Sequence, residues 1–121
     1  AGHYKLNNLI AFLDFNHLQI DGDVREVMNP TPLDKKFEAF GWYVQVIDGH
    51  NFEEIDNAVR NAYFSDKPNI IICNTIKGKG VSFMENNAEW HGKAPKKDQY
   101  EIAMAELEAA YEKAKENRKN G

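Results

Sequence analysis

The chain has 121 residues and a formal net charge of −4, which argues against a general nucleic-acid binder, since phosphate recognition needs a basic face. Hydrophobic residues make up 42% and charged residues 28%, the balance of an ordinary globular domain able to bury one core. The longest apolar runs, at 9–13 and 70–73, fall far short of a membrane span, and residues 1–8 lack the charged start and apolar block of a secretory leader.

Residues 9–14, LIAFLD, are nearly continuously apolar and predict a strand covered on both faces. Residues 15–31 are polar and irregular, with Asp21-Gly22-Asp23 and Asn29-Pro30 as turn signals. A helix is expected to begin near Pro32 and close at Gly41, with Leu33, Phe37 and Phe40 on its apolar face. Residues 42–47, WYVQVI, have the aromatic and β-branched composition of a second strand. The turn Asp48-Gly49-His50-Asn51 then supplies a cap for a helix with Phe52, Ile55, Val59, Ala62 and Tyr63 at helical spacing.

Ser65-Asp66-Lys67-Pro68 ends that helix, and 69–76 is the third expected strand. Cys73 lies inside it as the only cysteine, which excludes an intrachain disulfide. It reads as a small buried hydrophobe, and a reducing cytoplasm fits best. Residues 77–97 form a long loop with glycines, Trp90 and two basic clusters. A final helix over 98–118 is expected to turn Ile102, Met104, Leu107, Tyr111 and Ala114 inward, with a fraying tail. Strands alternating with helices mean right-handed crossovers: an α/β fold with a three-stranded or slightly larger parallel sheet, its edges open unless something pairs with them.

In such sheets ligands bind beyond the carboxyl ends of the strands. Asn16 stands at the first such end, where a neutral amide oxygen, joined by a main-chain carbonyl two residues later, suits a hard cation. By itself an asparagine there is most often a turn residue. Lys77-Gly78-Lys79-Gly80 lets the backbone approach a ligand closely, yet it lacks the Walker pattern and reads alone as a solvated basic turn. His91 can donate to a hydroxyl or diphosphate, or simply sit on the surface.

The stretch KLNNLIAFLDFNHLQIDG resembles the closing part of the thiamine-diphosphate motif of transketolases, which ends on the asparagine. TIKGKGVSFMENNAEWHGKAP resembles the loop carrying that family's KGxG and WHG signatures, and AFGWYVQVIDGHN follows in family order between them. The resemblance runs from about residue 3 to at least Leu107. It implies that Asn16 binds a metal through its side chain and Leu18 through its carbonyl. It also implies that Ile20 presses on the cofactor's rings, with Gln19 facing the same pocket, and that Lys77 lies by the cofactor. His91 would face cofactor and donor sugar as the catalytic residue. Lys93 would touch a sugar phosphate, Lys79 would stay at the surface and Trp90 would pack.

The same resemblance marks what this stretch does not carry. The family's GDG motif, whose aspartate is the charged metal ligand, occurs nowhere in the chain, and Asp21-Gly22-Asp23 lies on the wrong side of Asn16. The glutamate that activates the cofactor belongs to a separate pyrimidine-binding domain. The expectation is a single partial diphosphate-binding domain over 1–121, truncated before the GDG half. It would bind thiamine diphosphate and Mg2+ (or Ca2+) weakly or not at all alone, and transfer two-carbon ketol units between phosphosugars only with the missing regions or a second subunit. The alternative is a non-catalytic α/β module that oligomerises through its open edges. No nucleic-acid or membrane partner is expected, and a homo-oligomer is.

Overall fold

The computed structural model describes residues 1–119, and the chain divides into two compact units, Ala1–Thr75 and Ile76–Gly121. The first unit runs β1 (Ile10–Phe15), β2 (Leu18–Gln19), β3 (Gly22–Asp23), α1 (Val24–Val27), α2 (Leu33–Ala39), β4 (Tyr43–Asp48), α3 (Phe52–Tyr63) and β5 (Asn69–Asn74). Among its described residues the second contains one 3-10 turn, Ala88–His91, and α4 (Lys97–Lys119).

The expected three-stranded parallel sheet with flanking helices is present, in the order β1-β5-β4. Phe15 and Asp48 both lie opposite Asn74, so the three carboxyl ends form one level row. The third strand is shorter than 69–76, ending at Asn74. It occupies the centre of the sheet, which explains its unbroken apolar run: Ile70, Ile71, Ile72 and Cys73 are all buried. The expectation that the first strand is covered on both faces is corrected. β1 is an edge strand with Phe12 54% exposed, because the cluster under α3 reaches β1 only at Ile10.

That cluster joins Ala58 and Val59 of α3 to Ile71, Cys73 and Ile47. Asn51 caps the helix as the turn predicts, its Oδ1 accepting from the N–H groups of Glu53 and Glu54 at 3.0 and 3.3 Å. Ile55, Ala58, Val59 and Ala62 make the buried stripe. At about 100° per residue, Phe52 and Tyr63 lie well to one side of it, and both are exposed rather than inward. Gln45 Nε2 donates to the Ala58 carbonyl at 2.8 Å, tying α3 to β4.

The opposite face of the sheet carries the start of α2. Leu33 and Pro32 border a hollow of about 290 Å³ with Phe15, Val46, Ile72 and Asn74. Pro32 precedes the helix as its N-cap, after a cis Thr31–Pro32 bond. Phe37 packs edge-on against Trp42 at 5.4 Å, but Phe40, expected on the same apolar face, is exposed. The segment 15–31, read as irregular, contains the β2–β3 hairpin and α1.

In the second unit α4 continues through 116–119, where fraying was expected; residues 120–121 lie outside the described ones. Its inward set is also corrected. Ala103 is buried and Met104 half-buried, while Ile102, Leu107, Tyr111 and Ala114 are exposed. Ile102 stands nine residues from Tyr111, hence on the opposite side of the helix, so the apolar residues never form one stripe. No described helix is long and apolar enough to cross a membrane.

Candidate functional site

At the carboxyl end of the sheet β1 runs into Asn16, whose Oδ1 accepts the Leu18 N–H at 3.0 Å. This side-chain turn reverses the chain immediately beyond the strand. His17 supports it in left-handed backbone, φ 62°, with its ring 4.1 Å from that of Phe15 and its carbonyl accepting from Val24 N–H at 2.9 Å. The hairpin then pairs Leu18 with Asp23 and Gln19 with Gly22, leaving Ile20 at the tip, 67% exposed. One turn therefore gathers Asn16, Leu18, Gln19 and Ile20, four of the residues singled out in the sequence.

The amide oxygen of Asn16 retains a lone pair, and with the Leu18 carbonyl it suits one side of a hard divalent cation. A carboxylate is still required, and two of those in the same stretch, Asp23 and Asp14, are already engaged. Asp23 caps α1 through Arg25 N–H at 2.8 Å and grips the Arg25 guanidinium at 2.6 Å. The Arg25 side-chain bonds, more than any other influence, hold its carboxyl down to about 2. Asp14 accepts from the Thr75 hydroxyl. Among the described residues no three His, Cys, Asp or Glu side chains cluster as a metal centre would.

Three strand ends meet tightly here. Thr75 N–H donates to the Phe15 carbonyl at 3.2 Å, and Gly49 N–H to the Asn74 carbonyl at 2.8 Å. A Cβ on Gly49 would stand 2.5 Å from the Thr75 methyl and 2.8 Å from Cys73 Cβ, so only glycine fits. Cys73 is buried, and burial above all pushes its thiol up, as an inert core cysteine requires.

The segment that follows Thr75 belongs to the second unit and is a wound loop rather than an open basic turn. Lys79 N–H donates to Ile76 O at 3.2 Å, Val81 N–H to Gly78 O at 3.1 Å, and Asn86 N–H to Lys77 O at 3.0 Å. Gly78 and Gly80 adopt φ of 72° and 93°, the left-handed region that favours glycine. Glu85 accepts from Gly80 N–H at 2.9 Å and lies 4.0 Å from Lys79 Nζ. Lys79 is exposed and Lys77 half-buried. Trp90 packs as the sequence implies, its Nε1 donating to Phe83 O at 3.0 Å and its ring lying 5.3 Å from Phe83. Lys93 Nζ stands 5.0 Å over the Trp90 ring. His91 ends the 3-10 turn with an exposed side chain.

Sequence reasoning missed two attachments. Asp14 meets Thr75 across 61 positions, and Glu106 of α4 accepts from Ser82 across 24. No local pattern announces such pairs.

An α/β unit with an asparagine turn at its carboxyl edge, followed by a KGxG–WHG loop, defines a thiamine-diphosphate-binding class of domain. The chain belongs to the transketolase family: the family model "Transketolase, thiamine diphosphate binding domain" matches residues 1–117. It is 48% identical over 109 residues to the 6-deoxy-6-sulfo-D-fructose transketolase subunit SqwG of Clostridium sp. (strain MSTE9), covering 89% of this chain and 40% of that protein. It is 42% identical to an apulose-4-phosphate transketolase subunit of Actinobacillus succinogenes, covering 88% and 39%. The crystal structure of Campylobacter jejuni transketolase superposes with a TM-score of 0.79 at 37% identity, covering 85% of this chain and 16% of that one. The chain thus spans about two fifths of the length of these subunit relatives.

Proposed function

We propose that this chain supplies the metal- and diphosphate-facing part of a thiamine-diphosphate-dependent ketol transferase and completes a catalytic site only with further protein. The observation that carries the reading is Asn16. It follows a parallel strand at its carboxyl end, its side-chain oxygen is turned over the Leu18 N–H, and β5, which leads into the KGxG loop, ends beside it at the same level. Asn16 and the Leu18 carbonyl would hold Mg2+ or Ca2+, and Ile20 and Gln19 would border the cofactor's rings. Lys77 would approach the cofactor, His91 would donate to the donor sugar, and Lys93 would meet a sugar phosphate at the mouth of the pocket. The carbon chemistry is supplied by thiamine diphosphate when bound; these residues bind and orient. The relatives named as transketolase subunits support a complementing second subunit; phosphosugar substrates and a cytoplasmic setting complete the reading.

The test is a titration of the chain with thiamine diphosphate, with and without Mg2+, by calorimetry. It is run on the chain alone and on the chain mixed with a relative's complementary subunit. Alone, binding stays weak or absent to millimolar ligand and ketol transfer stays at background. In the mixture, saturable Mg2+-dependent binding appears. Turnover by the chain alone, or no binding in the mixture, overturns the reading.

The unpaired outer edges of β1 and β4 and the exposed Phe12 and Val46 favour a second reading, an oligomerisation module without cofactor.

A further inference from the structure

We propose that Asp14 and Thr75 form a positioning pair that fixes the point at which the Asn16 turn leaves the sheet. The inference rests on the reading of Asn16 as the metal-facing residue. β1 is paired on one side only, so its last residues are restrained by β5 alone. The regular ladder closes at Phe15 and Asn74. Beyond it, Asn16 is held by one local side-chain bond, which stays closed only while the strand end leading into it is held.

Thr75 supplies the missing restraint twice. Its N–H extends the ladder by one bond to the Phe15 carbonyl, and its hydroxyl donates to the Asp14 carboxylate, a charge-assisted bond stronger than a neutral one. The Thr75 side chain is itself boxed. Its methyl group occupies the space where a Cβ on Gly49 would stand, and a β-branched residue has few rotamers to escape into. Asp14 and Phe15 are therefore gripped from β5 immediately before the chain reaches Asn16. Neither Asp14 nor Thr75 is assigned contact with metal or cofactor; they act through the backbone that carries Asn16.

The experiment is amide hydrogen exchange by NMR on the full chain, comparing Thr75→Val, Asp14→Ala and Thr75→Ser. The reporters are the Leu18 amide, which donates to Asn16, and the Ile71 amide in the core. Thr75→Val and Asp14→Ala are each expected to speed Leu18 exchange by roughly tenfold while Ile71 stays protected. Thr75→Ser, which keeps the hydroxyl but not the boxed methyl, gives a Leu18 rate closer to the parent's than to that of Thr75→Val. Should Thr75→Val fail to fold, Asp14→Ala, at an exposed side chain, decides alone. An unchanged Leu18 rate, or equal acceleration at Ile71, overturns the proposal. No ligand enters this measurement, so its failure is distinguishable from a failure of the cofactor titration.

Discussion

Glu106 accepts two hydrogen bonds from Ser82, one from its main-chain N–H at 2.7 Å and one from its hydroxyl at 2.5 Å. The pair fastens the end of the glycine-rich loop to α4. Hydrogen bonds from Ser82 hold the Glu106 carboxyl below the usual value of 4.5. A depressed carboxyl contributes its stabilisation above the ordinary glutamate range and loses it as pH falls through the lower, folded value. The Ser82 amide resonance should therefore titrate with a midpoint below the ordinary glutamate value. Glu106→Gln should abolish that acid transition. A Ser82 resonance that titrates at the ordinary glutamate value would show that the fastening carries no preference for the ionised acid.

The turn at Gly78 should tolerate no side chain. A Cβ there would lie 2.6 Å from the Met84 carbonyl oxygen and 2.7 Å from its Cβ, on backbone at φ +72°. At Gly80, also left-handed, the nearest obstacle is the mobile end of Leu107 at 3.2 Å. Gly78→Ala is expected to cost about 2 kcal/mol or more and Gly80→Ala about 1 kcal/mol. Urea unfolding followed at Trp90 in a Trp42→Phe background ranks them. Equal midpoints would mean that Met84 yields freely.

Asn69 is fully buried at the start of the central strand, and its Nδ2 donates to the carbonyls of Lys67 at 2.8 Å and Ala62 at 3.4 Å. Asn69→Ala removes both bonds and empties a fully buried site; the Ala62 carbonyl keeps the Ser65 N–H at 3.2 Å and the Lys67 carbonyl the Ser65 hydroxyl at 3.3 Å, so the cost should be about 1–3 kcal/mol. Its measure is the urea midpoint reported by Trp42 in a Trp90→Phe background. A change within about 0.5 kcal/mol, the range of ordinary surface substitutions, would mean that neither carbonyl depends on Asn69.

If the Asn16 turn faces a cation and lacks only a charged oxygen, Asn16→Asp should raise the affinity of the isolated chain for Mn2+ by about tenfold. Electron paramagnetic resonance of free Mn2+ gives the constant. Parent and variant affinities that coincide would remove Asn16 from the metal's coordination.

Open strand edges should also show in solution. Sedimentation at rising concentration is expected to reveal self-association, and a species monomeric throughout would count against the second reading above.

The sequence by itself determined the parts whose signals are local. Strand composition at 42–47 and over most of 69–76, the Asn51 cap and the glycine-lined turn at 77–80 all act within a few residues, through backbone sterics and nearest-neighbour hydrogen bonds. The motifs around Asn16 and His91 were legible for the same reason, as short fixed patterns, and so was the family. Only the tertiary structure decided that β5 lies between β1 and β4, which left Phe12 exposed and buried Ile71. It alone turned Ala58 inward in place of Phe52, joined Asp14 to Thr75 across 61 positions and Ser82 to Glu106 across 24. Those outcomes depend on which segments meet in space. Two polar side chains far apart in the chain carry no mark of each other until burial and strand pairing bring them within a hydrogen bond.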